Sequence, residues 1–435
     1  MKALILAGGL PQIDLIEKLK QRNIKIVLAD YYKHPVAREY ADIFYQISTL
    51  DIASIKTVAQ REKVDFLITV CTDQALVTVA QVSEELDLPC YISCQAARNV
   101  TNKSYMKDIF RTHGIPTAKY AVMEDLDEGT FIDWKYPLIV KPVDCNSSKG
   151  VRKVQNIVEL KRAFSAAISI SRTNTAIVEE FIDGLELSVD VYVENGQAIV
   201  LDITESEKIK DNEKFIICRT WHPPRISKDI RHQVEDVIQQ IADAFQIKES
   251  PMLVQMMSSG EEISVFEFSA RTGGGVKHLS IQRQTGVDVI SAVIDLTLGK
   301  KPHISMKEPE WKYMLDEYIY CSPGIYDHLE GFEELKLKGT LIDYYLFKWR
   351  GAKFDTIENS GDRIGGFTIT AGSLEELARK HRETNFSVKV VSAQGTDMMR
   401  HDLLKDFGRN IAEQHNQVEK AELEPYESWE GCHAY

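Results

Sequence analysis

The sequence has 435 residues and a formal net charge of −13, and its hydrophobic (44%) and charged (27%) fractions are those of a soluble globular protein with two or three domains. The acidic balance opposes general binding to nucleic acid, no apolar run reaches the roughly 18 residues that span a bilayer, and the opening segment is too short for a secretory signal. Seven scattered cysteines, an odd number, indicate reduced thiols and a cytoplasmic location.

Residues 1 to about 100 alternate short apolar runs with amphipathic segments, which is typical of βαβ units with a parallel sheet. The predicted strands are Lys2–Ala7, Ile24–Ala29 and Val64–Val70, and the predicted helices are Ile13–Arg22, Ile52–Arg61 and Gln74–Leu86. Thr72-Asp73 follows the third strand, where ligands bind in open α/β sheets, although a solvated helix cap explains it equally well. The Gly8-Gly9 turn lacks the G-x-G-x-x-G order, so we assign it no dinucleotide.

The central stretch from Tyr136 to Asp190 carries the strongest chemical signal. An apolar strand ends at Lys141-Pro142 and is followed by a small polar loop, Asn146–Gly150. Serine hydroxyls, unhindered backbone N–H groups and a lysine can together hold a phosphate. A Walker A motif, G-x-x-x-x-G-K-[ST], is absent, so a P-loop NTPase is disfavoured.

The ordered motifs around this loop resemble those of the ATP-grasp superfamily, over roughly Lys103 to Lys300. The resemblance begins with Asn102-Lys103, which stands ahead of a helix and the Gly114-Ile115-Pro116 turn. It implies that two α+β lobes close on ATP, with one group of residues contacting the nucleotide. By position these are Lys103 and Lys141 on the phosphates, Ser147, Ser148 and Gly150 in the flexible loop, Glu179, Glu180 and Ile182 at the adenine, and Glu186 at the ribose.

A predicted hairpin, Met252 to Gly275, carries a second set of polar side chains. If its turn is odd in length and centred near Gly260, Gln255 and Glu267 share one face and lie diagonally across the strands, roughly 7–8 Å apart. Ser269 points to the same side as Glu267, because side chains alternate along a strand. Oxygen ligands beside nucleotide phosphates favour magnesium, with manganese as an alternative.

The hairpin also resembles the family's E-x-N-x-R signature, with two departures. Glu267 and Arg271 match, whereas Ser269 replaces the usual asparagine and Gln255 replaces a common carboxylate, which leaves a second magnesium in doubt. Arg271 is the candidate for stabilising transition-state charge, and Lys141 shares that catalytic role. The glycine run 273–275 allows backbone N–H groups to approach an oxyanion closely.

The expected fold class is a multidomain α/β and α+β protein. It comprises an N-terminal parallel βαβ domain (1–100), a two-lobed ATP-grasp domain (101–300, with a hinge near 179–186), a small α+β domain (301–420) and a tail (421–435). In the C-terminal domain we predict a strand at Phe367–Thr370, a helix capped by Ser373 and a strand at Ser387–Val391.

The resemblance implies an ATP-dependent ligase that activates a small carboxylate, such as an amino acid, as an acyl phosphate for attack by an amine. Two alternatives remain: an ATP-grasp enzyme that activates bicarbonate, and an ATP-binding regulatory protein without turnover. The expected partners are small-molecule carboxylate and amine substrates, with neither nucleic acid nor membrane. Dimers are common in the family, so a homodimer is also expected.

Overall fold

The N-terminal unit is a four-stranded parallel sheet with helices on both faces. The structure, a computed structural model, describes residues 1–145, 148–209 and 215–404. The sheet order is β3-β2-β1-β4, all parallel. Its elements are β1 Lys2–Leu6, α1 Leu10–Gln21, β2 Lys25–Asp30, β3 Ile43–Gln46, α2 Ile52–Glu62, β4 Phe66–Ile68, α3 Asp73–Glu85, α4 Cys94–Thr101 and α5 Lys103–Thr112.

The three strands and three helices expected in this unit are confirmed, and β3 was missed. It is an edge strand whose four residues are all at least partly exposed, so it has no buried apolar run to reveal it. The predicted parallel arrangement holds because the apolar residues of β1, β2 and β4 are buried on both faces between α1 on one side and α2 and α3 on the other.

A small antiparallel sheet forms the first lobe of the central region. Its elements are β5 Tyr120–Met123, β6 Leu138–Pro142, β7 Arg152–Val154, α6 Ile157–Ile170 and β8 Ala176–Glu180, and the strand order is β5-β8-β6-β7. The apolar face of α6, with Leu160 and Phe164, packs on Leu138 and Val140 of the central strand. The opposite face of β6 and β8 carries two charged residues, Lys141 and Glu179, next to Ile139 and Ile177.

A large antiparallel sheet spans the rest of the described chain. Its region contains β9 Leu185–Glu194, β10 Gln197–Lys208, β11 Ile217–His222, α7 Lys228–Ala244, β12 Ser250–Ser259, β13 Glu262–Ser269, α8 Lys277–Thr285, α9 Val289–Thr297, β14 Tyr313–Ile319, β15 Gly324–Glu330, α10 Phe332–Leu337, β16 Asp343–Leu346, β17 Lys353–Phe354, β18 Gly365–Ala371, α11 Leu374–Ser387 and β19 Lys389–Ser392. Eight of these strands run in the order β13-β12-β9-β10-β11-β14-β18-β16, and β17-β15-β19 form a separate sheet. Helices α5 and α7 cover one face of the large sheet, where Val189, Val254 and Ile238 are fully buried.

The hairpin β12–β13 differs from the prediction in its register. Gln255 and Glu267 lie on the same face, as expected, but they are direct partners rather than diagonal neighbours. The connecting turn contains only Gly260 and Glu261. A bulge between Gln255 and Met256 shifts the register by one residue, so that Gln255 pairs with Glu267. Direct partners bring the two side chains closer together than a diagonal pair would.

The C-terminal elements continue the same sheet across residue 300. Strand β14 pairs with β11 in the register Arg219↔Glu317, and β18 and β16 extend the sheet further. Glu317 is fully buried, and its carboxylate receives Arg219 Nε at 3.0 Å and His381 Nε2 at 3.0 Å. The predicted Ser373 cap is confirmed, since its Oγ accepts the Glu376 N–H at 3.2 Å. The domain boundary at residue 300 stays a prediction.

The described residues bear on the expectations for membrane-spanning helices and for cysteines. No helix there combines the length and the apolar character that crossing a bilayer requires. The six cysteines there are free thiols.

Removal of residues 301–435 is expected to destabilise the remaining chain. The β11 edge would lose its partner β14, and the buried Arg219 would lose the Glu317 carboxylate. We expect the fragment 1–300 to aggregate or to unfold without a cooperative transition, in contrast to the full chain. Size-exclusion chromatography and thermal unfolding by circular dichroism measure both properties. A monomeric fragment 1–300 with a cooperative transition would contradict this prediction.

Candidate active site

Helix α5 places two lysines on one buried face. The Asn102 side chain caps the helix by accepting the N–H groups of Ser104 at 3.0 Å and Tyr105 at 3.1 Å. Lys103 and Lys107 are four residues apart and so lie one turn from each other on the same side. Their exposed fractions are 4% and 0%. Two buried cations therefore face the space between the small sheet and the hairpin.

Lys103 joins the helix to the hairpin and to the phosphate loop. Its Nζ lies 2.9 Å from Glu267 Oε1 and donates to the backbone oxygen of Cys145 at 2.9 Å. Burial by itself lowers the pKa of Lys103, but the carboxylates of Glu267 and Asp73 reverse the effect and raise it above the usual value. Lys103 is therefore a permanent positive charge at the centre of the site.

The carboxylate of Glu179, on strand β8 of the small sheet, lies between two lysines. Its Oε1 lies 2.5 Å from Lys107 Nζ and its Oε2 lies 2.5 Å from Lys141 Nζ. Burial alone would raise the pKa of this carboxyl group, but the two positive charges hold it at about 2. Burial, followed by the charge of Lys141, lowers the pKa of Lys107 against the opposing effect of Glu179. The Lys107–Glu179–Lys141 cluster is thus charged and dehydrated.

Lys107 is the site residue that sequence reasoning missed. A signal was present, because a lysine four positions after Lys103 must share its face of a helix. Its Nζ also donates to Thr117 Oγ1 at 2.5 Å, which fixes the side chain from a second direction.

The predicted adenine and ribose residues lie along the connection between the two lobes. Glu179 ends at the lysine cluster, whereas the Glu180 carboxylate points away and lies 4.0 Å from the exposed Lys119. Ile182 is half-buried at the start of the connection. The Glu186 carboxylate forms an ion pair with Lys208 of β10, so it is not grouped with the lysines of α5. The nucleotide contacts assigned to these four residues stay predictions.

The predicted phosphate loop is partly described. Ser147 lies outside the described residues. Ser148 has a positive φ of 62°, and its Oγ donates to the backbone oxygen of Phe215 at 2.7 Å, across to the second lobe. Gly150 has a φ of 76°, a left-handed backbone conformation that favours glycine.

The hairpin supplies the oxygen atoms that were predicted to hold a metal. Glu267 faces Lys103, and its direct partner Gln255 is half-buried beside it. The Ser269 hydroxyl donates instead to Asp73 Oδ1. Within the described ranges, no three His, Cys, Asp or Glu side chains are grouped so as to hold a metal ion. One carboxylate and one amide fit magnesium only where phosphate oxygens and water complete its ligands.

Arg271 is bound by a carboxylate that reaches it from the N-terminal unit. Its Nε donates to Asp73 Oδ1 at 2.6 Å, its Nη2 binds Asp73 Oδ2, and its Nη1 donates to the Thr272 oxygen at 2.8 Å. Burial raises the pKa of a carboxyl group, but the Arg271 charge outweighs this and lowers the pKa of Asp73. Asp73 thus occupies the fork that we expected to stabilise transition-state charge, and that role of Arg271 stays a prediction.

Asp190 fixes the position of the glycine run 273–275, which follows Arg271. Asp190 Oδ1 accepts the Gly273 N–H at 3.2 Å, and Asp190 Oδ2 lies 3.4 Å from Lys277 Nζ. A Cβ on Gly273 would lie 2.8 Å from Asp190 Oδ1, so this close approach requires glycine. The run is therefore positioned by buried charges rather than left as a loose loop.

Comparison with known proteins identifies the domain that carries this site. The ATP-grasp domain family matches residues 134–279. Among curated relatives, the chain is 27% identical over 244 residues to formate-dependent phosphoribosylglycinamide formyltransferase of Sulfurisphaera tokodaii, covering 54% of this chain and 61% of that protein. It is 26% identical over 225 residues to phosphoribosylamine–glycine ligase of Lactococcus lactis, covering 49% and 54%. The matches thus span between half and two thirds of these relatives.

Solved structures share the fold over nearly the whole length. The L-amino acid ligase of Bacillus licheniformis superposes with a TM-score of 0.73 at 19% identity, covering 90% of this chain and 98% of that one. The N-terminal parallel sheet, the small antiparallel sheet and the large antiparallel sheet together form the arrangement expected from the sequence. Residues 134–279 therefore form an ATP-grasp domain, and the chain has the ATP-grasp fold.

Proposed function

We propose that this protein is an ADP-forming carboxylate–amine ligase. ATP phosphorylates a small carboxylate, and an amine then displaces phosphate to form an amide or peptide bond. Two enzymes with ligase names, phosphoribosylamine–glycine ligase by sequence and an L-amino acid ligase by fold, support the reaction class. That the two substrates are a small carboxylate and an amine is part of this proposal.

The observation that carries the proposal is an excess of buried positive charge at one point. Three lysines converge there, Lys103, Lys107 and Lys141, and their exposed fractions are 6% or less. Among the described residues, two carboxylates pair with these lysines, Glu179 and Glu267, whereas Asp73 is bound by Arg271. A buried site with more cations than anions requires an anionic ligand, and a triphosphate meets this requirement.

In the proposed reaction the protein supplies position and charge rather than covalent chemistry. Lys103 and Lys141 bind the phosphate oxygens, and Glu179 keeps Lys141 extended toward them. The substrate carboxylate attacks the γ-phosphorus and ADP leaves, after which the amine attacks the acyl carbon and phosphate leaves. Backbone N–H groups of the glycine run 273–275 face the oxyanion of this second step.

Magnesium fits the donor atoms of the hairpin as a partner of the nucleotide. Glu267 and Gln255 would hold it, and when bound it neutralises charge on the phosphate oxygens. Glu267, which pairs with Lys103 in this structure, would be one ligand of the metal, and Lys103 would contact the phosphate oxygens.

Two variants test the reaction class. Lys141→Ala and Glu267→Ala should each lower ADP release by at least about 100-fold, since each removes a charge from the phosphate site. ADP release is measured with purified protein, magnesium, ATP and a panel of amino acids, with bicarbonate as a separate arm. Circular dichroism and thermal unfolding control for folding.

The outcomes separate the candidate functions. Release stimulated by an amino acid supports the ligase, and release stimulated by bicarbonate alone supports a carboxylating enzyme. ATP binding by calorimetry without release for any acceptor supports a regulatory ATP-binding protein. Wild-type rates in either variant would remove the proposed mechanism.

Lys107 should be essential for stability and for nucleotide affinity. Lys107→Met leaves Glu179 with one lysine inside a dehydrated site, and breaking such a buried pair costs about 3–5 kcal/mol of unfolding free energy. We expect a matching fall in urea stability and at least about a tenfold weaker affinity for ATP in calorimetry.

Lys119→Met is the matched control for this substitution. The same chemical change is made at a half-exposed lysine whose carboxylate partner is 4.0 Å away, so we expect an effect within about 0.5 kcal/mol. Equal effects of the two substitutions would refute the role of the buried cluster.

Glu179 should contribute a pH-dependent part of the stability. Its carboxyl pKa is about 2 in the folded protein against an ordinary 4.5, so the ionised form stabilises the fold above pH 4.5, and this is lost as the pH falls toward 2. A shift of this size corresponds to about 3 kcal/mol. Urea unfolding between pH 6 and pH 3 should show wild type losing its advantage over Glu179→Gln only below about pH 4.5. A constant difference across that range would disprove it.

A further inference from the structure

A cluster of aromatic side chains from two distant parts of the chain lies beside the carboxyl end of the parallel sheet. Tyr31 and Tyr32 follow β2 directly, and their ring centroids are 3.9 Å apart. Trp349, which follows β16, lies 5.9 Å from Tyr32, and His34 lies 6.4 Å from Trp349. Tyr31 and Tyr32 remain 56% and 41% exposed. We call Tyr31, Tyr32 and Trp349 the aromatic wall.

The backbone beneath this aromatic wall is held in place. Asp30 is 6% exposed, and its two oxygens accept the N–H groups of Gly8 and Tyr32, each at 2.7 Å. Gly8 also packs against Pro35 so closely that a Cβ on Gly8 would lie 2.6 Å from the proline ring. The tyrosines are therefore presented from a fixed turn, which lowers the entropy cost of binding a ligand there.

Two cations, Lys348 and Arg363, lie near the aromatic wall, with one carboxylate, Asp362, close enough to act on Lys348. Lys348 Nζ is 5.7 Å from the centroid of the Tyr32 ring, and Arg363 stacks on Tyr318 at 4.0 Å. Burial lowers the pKa of Lys348, the Asp362 carboxylate opposes this, and the neighbouring Arg363 lowers the pKa further. In the described part of the chain no ion pair joins either cation to an acid. The place is therefore suited to an anionic group.

The cations connect the aromatic wall to the glycine run of the candidate active site. A Cβ on Gly275 would lie 3.3 Å from Arg363 Nη1 and 2.6 Å from the Tyr318 hydroxyl. Gly275 has a φ of 68° and ends the run that follows Arg271. Arg363 thus lies between the backbone of Gly275 and Lys348, which is beside the Tyr32 ring.

We propose that the aromatic wall selects a substrate with an aromatic side group, so that the acid or amino acid used by this protein is aromatic. Rings favour ring partners through stacked and edge-on contacts beyond the buried area alone, and the anionic end of such a substrate meets Lys348 and Arg363. The inference rests on the proposed function, because it names the substrate class of that same reaction.

The test compares two ligands of nearly equal size that differ only in aromaticity. L-phenylalanine and L-cyclohexylalanine are titrated into the full chain by calorimetry, in the presence of magnesium and a non-hydrolysable ATP analogue. We expect wild type to bind L-phenylalanine at least about threefold more tightly. The ratio should fall to one in Tyr32→Leu and in Trp349→Leu.

Two further variants control for a general loss of structure. Tyr32→Phe keeps the ring and should keep the ratio. Tyr40→Leu removes an exposed tyrosine outside the aromatic wall and should leave the ratio unchanged. Affinity for the ATP analogue should be the same in all four variants, which confirms that the nucleotide site is intact.

Several results would overturn the inference. These are no binding of L-phenylalanine, a wild-type affinity ratio of one, or an unchanged ratio in both leucine variants. ADP release with aliphatic acids in such a case would leave the ligase function standing. Conversely, aromatic preference without ADP release for any acceptor would support the aromatic wall and reject the ligase.

Discussion

The carboxylate of Glu179, held between Lys107 and Lys141, is the interaction on which the candidate site depends. Without this negative charge, two lysines would face each other in a space that excludes water, and each would tend to lose its proton. With it, Lys107 fixes the carboxylate and the carboxylate fixes Lys141 at 2.5 Å. The site is thus ordered before any nucleotide binds, which is the condition for electrostatic stabilisation of a transition state.

Charges from separate units complete this arrangement. Lys103 of α5 forms an ion pair with Glu267 of the hairpin. Asp73, at the start of α3, forms one with Arg271, which follows the second strand of the hairpin. These contacts join residues that are 164 and 198 positions apart in the sequence. Because both ion pairs lie at the same hairpin, a movement of the N-terminal unit would displace the glycine run and the Glu267 carboxylate together.

Sequence reasoning predicted the position of some residues and failed for others for identifiable reasons. Lys141 was visible because an apolar strand ends at a proline, and Glu267 because it alternates within a strand. Lys107 was missed, although its spacing from Lys103 placed it on the same helical face. The direct pairing of Gln255 with Glu267 depended on a bulge, and a bulge leaves no mark in the hydrophobic pattern.

The sequence by itself determined the class of fold, because hydrophobic periodicity and local motifs act over a few residues, and its motifs also made Lys103 and Lys141 candidate site residues. Only the tertiary structure decided which charges meet. Asp73 with Arg271, Glu186 with Lys208, and the aromatic rings of Tyr32 and Trp349 are pairings between distant segments. Long-range partners depend on strand register and on how the sheets pack, and a single sequence does not encode these in any local pattern.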